Sequence, residues 1–87
     1  MNGLNTLMLI GKLQDIYESN DNFYISIIIS DQDGDMTIPI NINKHLYDML
    51  KDHSEENGLI GIKGAIGIDN NQLCIIATKV TLLSKKM

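Results

Sequence analysis

The chain has 87 residues, enough for one folded domain spanning 1–87 and too few for two. Hydrophobic residues make up 44% of it and charged residues 21%, which excludes a disordered or low-complexity chain. The formal net charge of −4 and the lack of arginine exclude a strongly basic nucleic-acid binder, because a polyanion is repelled at long range.

The apolar runs are too short to cross a bilayer. Two of the longest, Leu7–Ile10 and Ile27–Ile29, fall far below the roughly 20 residues of a spanning helix. No signal-type segment opens the chain, so a cytoplasmic location without membrane contact is expected. The single cysteine, Cys74, lies in an apolar run and is expected to be a small buried side chain rather than a catalytic or metal-binding group.

Alternating apolar residues predict three strands in the first half of the chain. The first runs from Leu7 to Leu13 and is expected to bend or bulge at Gly11. The second spans Phe23–Ser30 and the third spans Met36–Ile42.

The Asp33-Gly34 pair predicts a two-residue turn between the second and third strands, with positive φ at both residues. Six isoleucines then share one face in opposed pairs, Ile29 with Ile38, Ile27 with Ile40 and Ile25 with Ile42. This face is expected to be core. The opposite face is expected to be wet and available for binding, and it carries Tyr24, Ser26, Ile28, Ser30, Thr37, Pro39 and Asn41.

A helix and two further strands are predicted in the second half. Asn43 is a plausible helix cap, and Leu46, Met49, Leu50 and His53 follow at helical spacing, which predicts about three turns ending in the polar segment 52–58.

The fourth strand, Ile60–Ile68, contains three glycines that allow neighbouring strands to approach closely. Asp69–Gln72 predicts a turn into a final strand from Leu73 to Leu83. The order of strand, strand, strand, helix, strand, strand indicates an all-β fold with one short helix. It is the order of the OB-fold, a five-stranded Greek-key barrel with its helix between strands 3 and 4.

Three stretches resemble bacterial single-stranded DNA-binding proteins. Asn5–Leu13 resembles their opening strand, in which an apolar run leads into Gly, a basic or polar residue and Leu. Ile38–Leu50 resembles their third strand and helix, and Leu59–Gly64 resembles their fourth strand. The resemblance covers roughly residues 2–84. It implies sequence-nonspecific binding of single-stranded DNA in replication, recombination or mobile-element maintenance.

The chain also departs from that family. The third strand lacks the aromatic residue that family members often carry, and Ser54–Asn57 and Ala65 stand where they have basic residues. The sequence ends at Lys85–Met87 without the linker and acidic tail of the replicative members. We therefore expect a reduced, core-only relative. A phage or mobile-element protein and the short primosomal replication protein type both remain open.

Binding of single strands requires cations for the phosphates and aromatic faces for the bases. Lys12, Lys44 and Lys63 are predicted to lie on or beside the strands of the open face, whereas many acidic residues cluster in predicted loops and termini. Tyr24 is the first candidate for stacking, and Asn41 lies on the same predicted face. The other three aromatic residues are Phe23, Tyr17 and Tyr47. Of these, Phe23 is expected to lie in the core or in an interface.

Metal and catalytic sites are not predicted. Asp31–Asp35 opens like a calcium loop, but Met36 and Ile42 occupy the positions where such a loop needs Gly and Glu. His45 and His53 have no further ligand at a suitable spacing, so surface or capping roles are expected. No enzyme activity and no cofactor are expected.

Two functions follow, from different classes. The first is binding of single-stranded DNA, with RNA as an open alternative ligand. The second is an OB-fold protein-interaction or scaffold module without nucleic-acid binding, which the acidic charge would allow. The first strand is apolar on both faces, so a homodimer or homotetramer using it, and Leu82-Leu83 as a further contact, is also predicted.

Overall fold

The computed structural model describes residues 5–84. These residues form one helix, α1 (Lys44–His53), and the strands β1 (Leu7–Ser19), β2 (Asn22–Asp31), β3 (Gly34–Ile42), β4 (Leu59–Asp69) and β5 (Gln72–Leu82). The strands close into a barrel in the order β1-β2-β3-β5-β4, with α1 between β3 and β4 along the chain. This architecture confirms the predicted OB-fold. Lys85–Met87, with which the sequence ends, lies outside the described residues.

β1 is long enough to pair with two different strands, β4 and β2. It pairs with β4 through Leu7–Lys12 and with β2 through Lys12–Ser19. The predicted bulge at Gly11 is wrong, because the register shifts between Leu13 and Asp15. Gly11 serves a close approach instead, since a Cβ atom there would lie 2.7 Å from the carbonyl oxygen of Ile28.

The β2–β3 hairpin keeps its predicted faces but not its predicted register. Asp31 pairs with Gly34, so Gln32 and Asp33 form the tip, and Gly34 alone among these residues has positive φ, at 121°. The side chain of Asp31 accepts a hydrogen bond from the Asp33 amide at 2.8 Å, a local bond that favours the turn at this earlier position. Ile27 therefore opposes Ile38 rather than Ile40.

The register error is two residues, and a shift of two leaves every side chain on its face. The isoleucine face is accordingly interior, as predicted. The buried apolar core consists of Leu13, Ile25, Ile27, Ile40, Ile42, Leu50, Ile60, Ile62 and Ala77. The opposite face is not uniformly wet, because Ser26 is buried and its hydroxyl donates to Gln14 Oε1 at 3.3 Å.

Turns with two positive-φ residues do occur, at the other two hairpins. Asn20 and Asp21 (φ 51° and 66°) connect β1 to β2, and Asn70 and Asn71 (φ 53° and 63°) connect β4 to β5. Asn and Asp tolerate this conformation better than other residues with a side chain, so both tight hairpins close without glycine.

The helix covers one end of the barrel, as the sequence predicts. The Asn43 side chain caps it by accepting from the Leu46 amide at 2.8 Å, and Leu50 is fully buried in the core. Tyr47 and Met49 pack beside it, whereas His53 is exposed at the last turn.

The β4–β5 pair contains a second irregularity, which places Lys79 opposite Lys63. Its register shifts between Lys63 and Gly64, because Lys63 pairs with Lys79 and Gly64 with Ala77. Thr78 is the additional residue, and its hydroxyl donates to the Lys63 carbonyl at 3.1 Å. A Cβ atom at Gly64 would overlap the carbonyl oxygen of Ile76, so glycine allows the close strand contact.

Candidate nucleic-acid interface

Tyr24 and Asn41, predicted on one face, are direct neighbours. They form a cross-strand pair between β2 and β3, and each is half-buried. The Tyr24 ring stacks on that of Tyr17, its partner on β1, with ring centroids 5.4 Å apart and planes 19° apart. One side of the Tyr24 ring is therefore occupied, and the position of the ring is fixed by its neighbour.

Beside Tyr24 lies an open cleft of about 470 Å³ between β3 and the β4–β5 hairpin. β3 and β5 pair only at Asn41 and Ile76, so their edges separate beyond that point and leave a gap. Pro39 and Leu73 line the cleft from opposite sides. Cys74 also lines it and is only half-buried, so the expectation of a buried cysteine is wrong.

The β4–β5 hairpin that walls the cleft has apolar residues near its tip. Ile68 and Leu73 form a cross-strand pair there, and they are 74% and 76% exposed. These residues cannot be core, because the hairpin extends past the closed part of the barrel. They add apolar surface next to Tyr24 that a flat, apolar ligand group could contact.

Phe23 and Tyr47 form a second aromatic pair, on the helix side of the barrel. Their ring centroids are 4.6 Å apart, and both pack against the core, which confirms the prediction of an interior role for Phe23. Lys44 lies over the Phe23 ring at 5.9 Å and forms an exposed ion pair with Asp48 at 3.0 Å. Lys44 is thus positioned by the helix and not by the face that carries Tyr24.

Lys12 and Lys63 lie on a third part of the surface. Both are exposed on the outer side of β1 and β4, where Lys12 pairs with Leu59 and Lys63 pairs with Met8. The structure therefore brings Tyr24 to Asn41 and places Lys12 and Lys63 on a common sheet face, but it does not bring the two groups together. It also adds Lys79, which sequence reasoning missed and which lies directly opposite Lys63.

Four acidic residues lie at the two hairpin tips that flank the cleft. Asp31, Asp33 and Asp35 lie at or beside the β2–β3 tip, and Asp69 at the β4–β5 tip lines the cleft itself. The parallel pairing of β3 with β5 points these two hairpins in the same direction. Phosphates are therefore repelled from the hairpin end of the cleft.

Within residues 5–84, no three His, Cys, Asp or Glu side chains are grouped so that they could hold a metal ion. The one helix in that range is too short and too polar to cross a membrane.

The closed five-stranded barrel with its helix between β3 and β4 defines an OB-fold. No protein-family model matches the sequence, and no curated protein matches it. The mitochondrial single-stranded DNA-binding protein Rim1 from S. cerevisiae is similar in structure, with a TM-score of 0.79 at 11% identity, covering 98% of this chain and 99% of that one.

Two further structures are similar. A small single-stranded DNA-binding protein from Mycoplasma pneumoniae has a TM-score of 0.70 at 20% identity, with 98% of this chain and 100% of that one covered. The dimeric N-terminal domain of PriB from Thermoanaerobacter tencongensis has a TM-score of 0.68 at 19% identity, with 93% and 98% covered. At the level of the fold, these similarities confirm the resemblance derived from the sequence.

Proposed function

We propose that the protein binds single-stranded DNA without sequence preference and acts, without catalysis, in replication, recombination or mobile-element maintenance. The fold supports this proposal, because the three similar structures extend over nearly the whole chain and two of them are named as single-stranded DNA-binding proteins. OB-fold barrels bind single strands by stacking bases on aromatic rings and holding phosphates with cations.

The observation that carries the proposal is the Tyr17–Tyr24 stack beside the open cleft. A base that enters the cleft meets a ring whose position is already fixed, so little side-chain freedom is lost when the base stacks. Asn41 lies next to this ring and can donate or accept hydrogen bonds at a base edge. Stacking on the ring is sequence-tolerant because every base has a π face.

Lys12, Lys44 and Lys63 are the proposed phosphate ligands. Lys12 and Lys63 are exposed on one sheet face. The ion pair of Lys44 with Asp48 is exposed, at 69% and 56% for the two side chains, and such surface pairs contribute at most about 1 kcal/mol. A phosphate can therefore compete with Asp48 for Lys44.

The protein is further proposed to form a homodimer or homotetramer in the cytoplasm. The residues Leu7–Ile10 of β1 pair with β4 on one side, and their other edge forms no ladder with β2, whose pairing begins at Lys12. Pairing of this edge with its copy in a second chain would extend the sheet and satisfy its free backbone groups.

Titration of a labelled dT oligonucleotide tests the function. A length of about 16 nucleotides covers the upper range of OB-fold site sizes. We expect saturable binding at low salt that weakens as salt rises, with a shallow slope because few lysines contact phosphates. A duplex of the same length should bind more weakly, since it hides the base faces. A matching oligo-U strand measures whether RNA is also a ligand.

The alternative function is an OB-fold interaction module that does not bind nucleic acid. The acidic tips of the two hairpins beside the cleft favour it, because they oppose a polyanion there. An absence of binding to the dT oligonucleotide at low salt would exclude the proposed function and leave this alternative. Equal affinity for duplex and single strand would also contradict the stacking of bases on Tyr24.

A further inference from the structure

The outer face of β1, β4 and β5 forms a continuous surface that combines lysines with exposed apolar side chains. On β1, Met8 and Ile10 are 78% and 61% exposed, and Lys12 follows on the same side of the strand. Lys63 on β4 and Lys79 on β5 continue the surface across the sheet. A groove of about 480 Å³ runs between Met8, Ile10 and this lysine pair. We call these five residues the lysine face.

The Lys63–Lys79 pair is created by the bulge in β5. Gly64 pairs with Ala77, so a regular antiparallel ladder would place Thr78 opposite Lys63. The additional residue shifts the register, and Lys79 takes that position instead. Like charges directly opposite each other destabilise a sheet, and bulges are common where a side chain must be aimed at a ligand. The bulge thus places two lysines directly opposite each other on neighbouring strands, at a cost in stability.

No acidic side chain relieves this repulsion within the described residues. Neither Lys63 nor Lys79 forms a salt bridge in residues 5–84. The paired segments, residues 7–12 of β1, 59–64 of β4 and 77–82 of β5, contain no Asp or Glu. Every acidic residue of the chain falls instead in residues 15–35, 48–56 or at Asp69. The lysine face is therefore positive on a protein that is negative overall.

We infer that the lysine face holds the phosphate backbone of the bound single strand, with Lys63 and Lys79 as a paired phosphate site and Lys12 as a third contact. The inference rests on the proposed function and adds the location of the backbone. A phosphate between two unpaired ammonium groups removes their repulsion and releases counterions. The exposed Met8 and Ile10 beside the pair offer apolar contact to unstacked bases.

A single strand fits this surface better than an acidic polypeptide does. Phosphate charges are regularly spaced along a strand, and the bases between them are flat apolar groups that match exposed Met8 and Ile10. The acidic hairpins exclude the same phosphates from the hairpin end of the cleft. Bases reach Tyr24 only where the strand passes from the lysine face around the barrel toward β2.

The test compares the salt dependence of binding in lysine variants. The dT oligonucleotide of about 16 nucleotides is titrated at several salt concentrations into the wild type, Lys79→Gln and Lys63→Gln/Lys79→Gln. Lys51→Gln is the matched control, since it removes the same charge from an exposed helix position that contacts Tyr47. We expect the plot of log K against log salt to become shallower, its slope losing about 0.7 in magnitude for each lysine removed from the pair. The slope of the control should stay unchanged.

The outcomes distinguish a failure of the inference alone from a failure of the proposed function. If the wild type binds but the double variant keeps the slope of Lys51→Gln, the lysine face does not hold the backbone and the inference fails alone. If the wild type does not bind at low salt, the proposed function fails with it. Displacement of the oligonucleotide by poly-glutamate at equal charge concentration would assign the face to an acidic polypeptide and also overturn the inference. Thermal unfolding of each variant checks that the fold is retained.

Discussion

Tyr24 is held between two neighbours at the middle of the outer surface. Tyr17 stacks on one side of its ring, and Asn41 lies beside it on β3. The sequence alone predicts that Tyr24 faces away from the core, because it alternates with the interior isoleucines of β2. The alternation cannot predict the stack on Tyr17, which depends on the bulge after Leu13 and the resulting register of β1 against β2.

Replacing Tyr24 separates the stacking contribution from the charge contribution. We expect Tyr24→Ala to weaken binding of the dT oligonucleotide by about 1–3 kcal/mol, the range of one lost base stack, with little effect on the salt slope. Tyr24→Phe is the matched control and should keep the affinity, because it keeps the ring. Both are measured by the same titration. Equal loss in the two variants would assign the effect to the hydroxyl group and contradict stacking.

Glycine positions in β4 differ in what an added methyl group would meet. At Gly64 the methyl group would overlap the backbone carbonyl of Ile76, whereas at Gly61 it would meet only the end of the Leu83 side chain at 3.5 Å. We expect Gly64→Ala to lower the free energy of unfolding by about 1–3 kcal/mol, the usual cost of overpacking. Gly61→Ala should be neutral or stabilising by less than about 1 kcal/mol. Urea unfolding of the two variants measures the difference, and equal stability would contradict the close β4–β5 contact.

At the scale of the elements, the sequence predicts order and faces well and registers poorly. Four of the five strands and the helix lie where hydrophobic periodicity predicts them, since burial determines periodicity. β1 is the exception, because it continues past its predicted end at Leu13 to Ser19. The β2–β3 register is wrong by two residues because the Asp31 side-chain bond closes the turn early. Lys79 could not be assigned as a neighbour of Lys63, because the additional residue Thr78 leaves no signal in the alternation.

The opposed Lys63 and Lys79 are expected to favour DNA binding while lowering the stability of the β4–β5 pair. Lys79→Glu converts a like-charge pair into an opposite-charge pair, so we expect the free energy of unfolding to rise on the order of 0.2–1 kcal/mol at low salt. The same variant should bind the dT oligonucleotide more weakly. Lys51→Glu makes an equal charge change but adds a carboxylate one turn from Asp48, so it should lower stability. A fall in stability of Lys79→Glu, measured by urea unfolding, would contradict the direct opposition of the two lysines.

At the scale of the whole molecule, the strand segments that form the lysine face carry no acidic residue on a protein that is acidic overall. The net charge of −4 predicts weak steering of a polyanion, and this holds for the protein as a whole. The sequence also predicts that acidic residues cluster in loops and lysines on strands. It does not predict that Lys12, Lys63 and Lys79 share a face without acidic residues, because that depends on closure of the barrel between β1 and β4.

The charge of the lysine face limits how two copies can associate. A symmetric dimer that stacks the lysine face on itself would bring like charges together, whereas pairing through the free edge of Leu7–Ile10 leaves the lysine face open. We expect a dimer or tetramer by light scattering at tens of micromolar. A strictly monomeric mass for the wild type would contradict the assembly.

The most direct test of single-strand binding on this barrel is a map of backbone amide chemical shifts while the dT oligonucleotide is added to isotope-labelled protein. We predict that the amides of Lys12, Lys63 and Lys79 and those of Tyr24 and Asn41 change together as binding saturates. The tip residues Gln32 and Asp33 should change little, because their hairpin is acidic. An unchanged spectrum at low salt, or changes confined to the hairpin tips, would contradict the proposed function and its location.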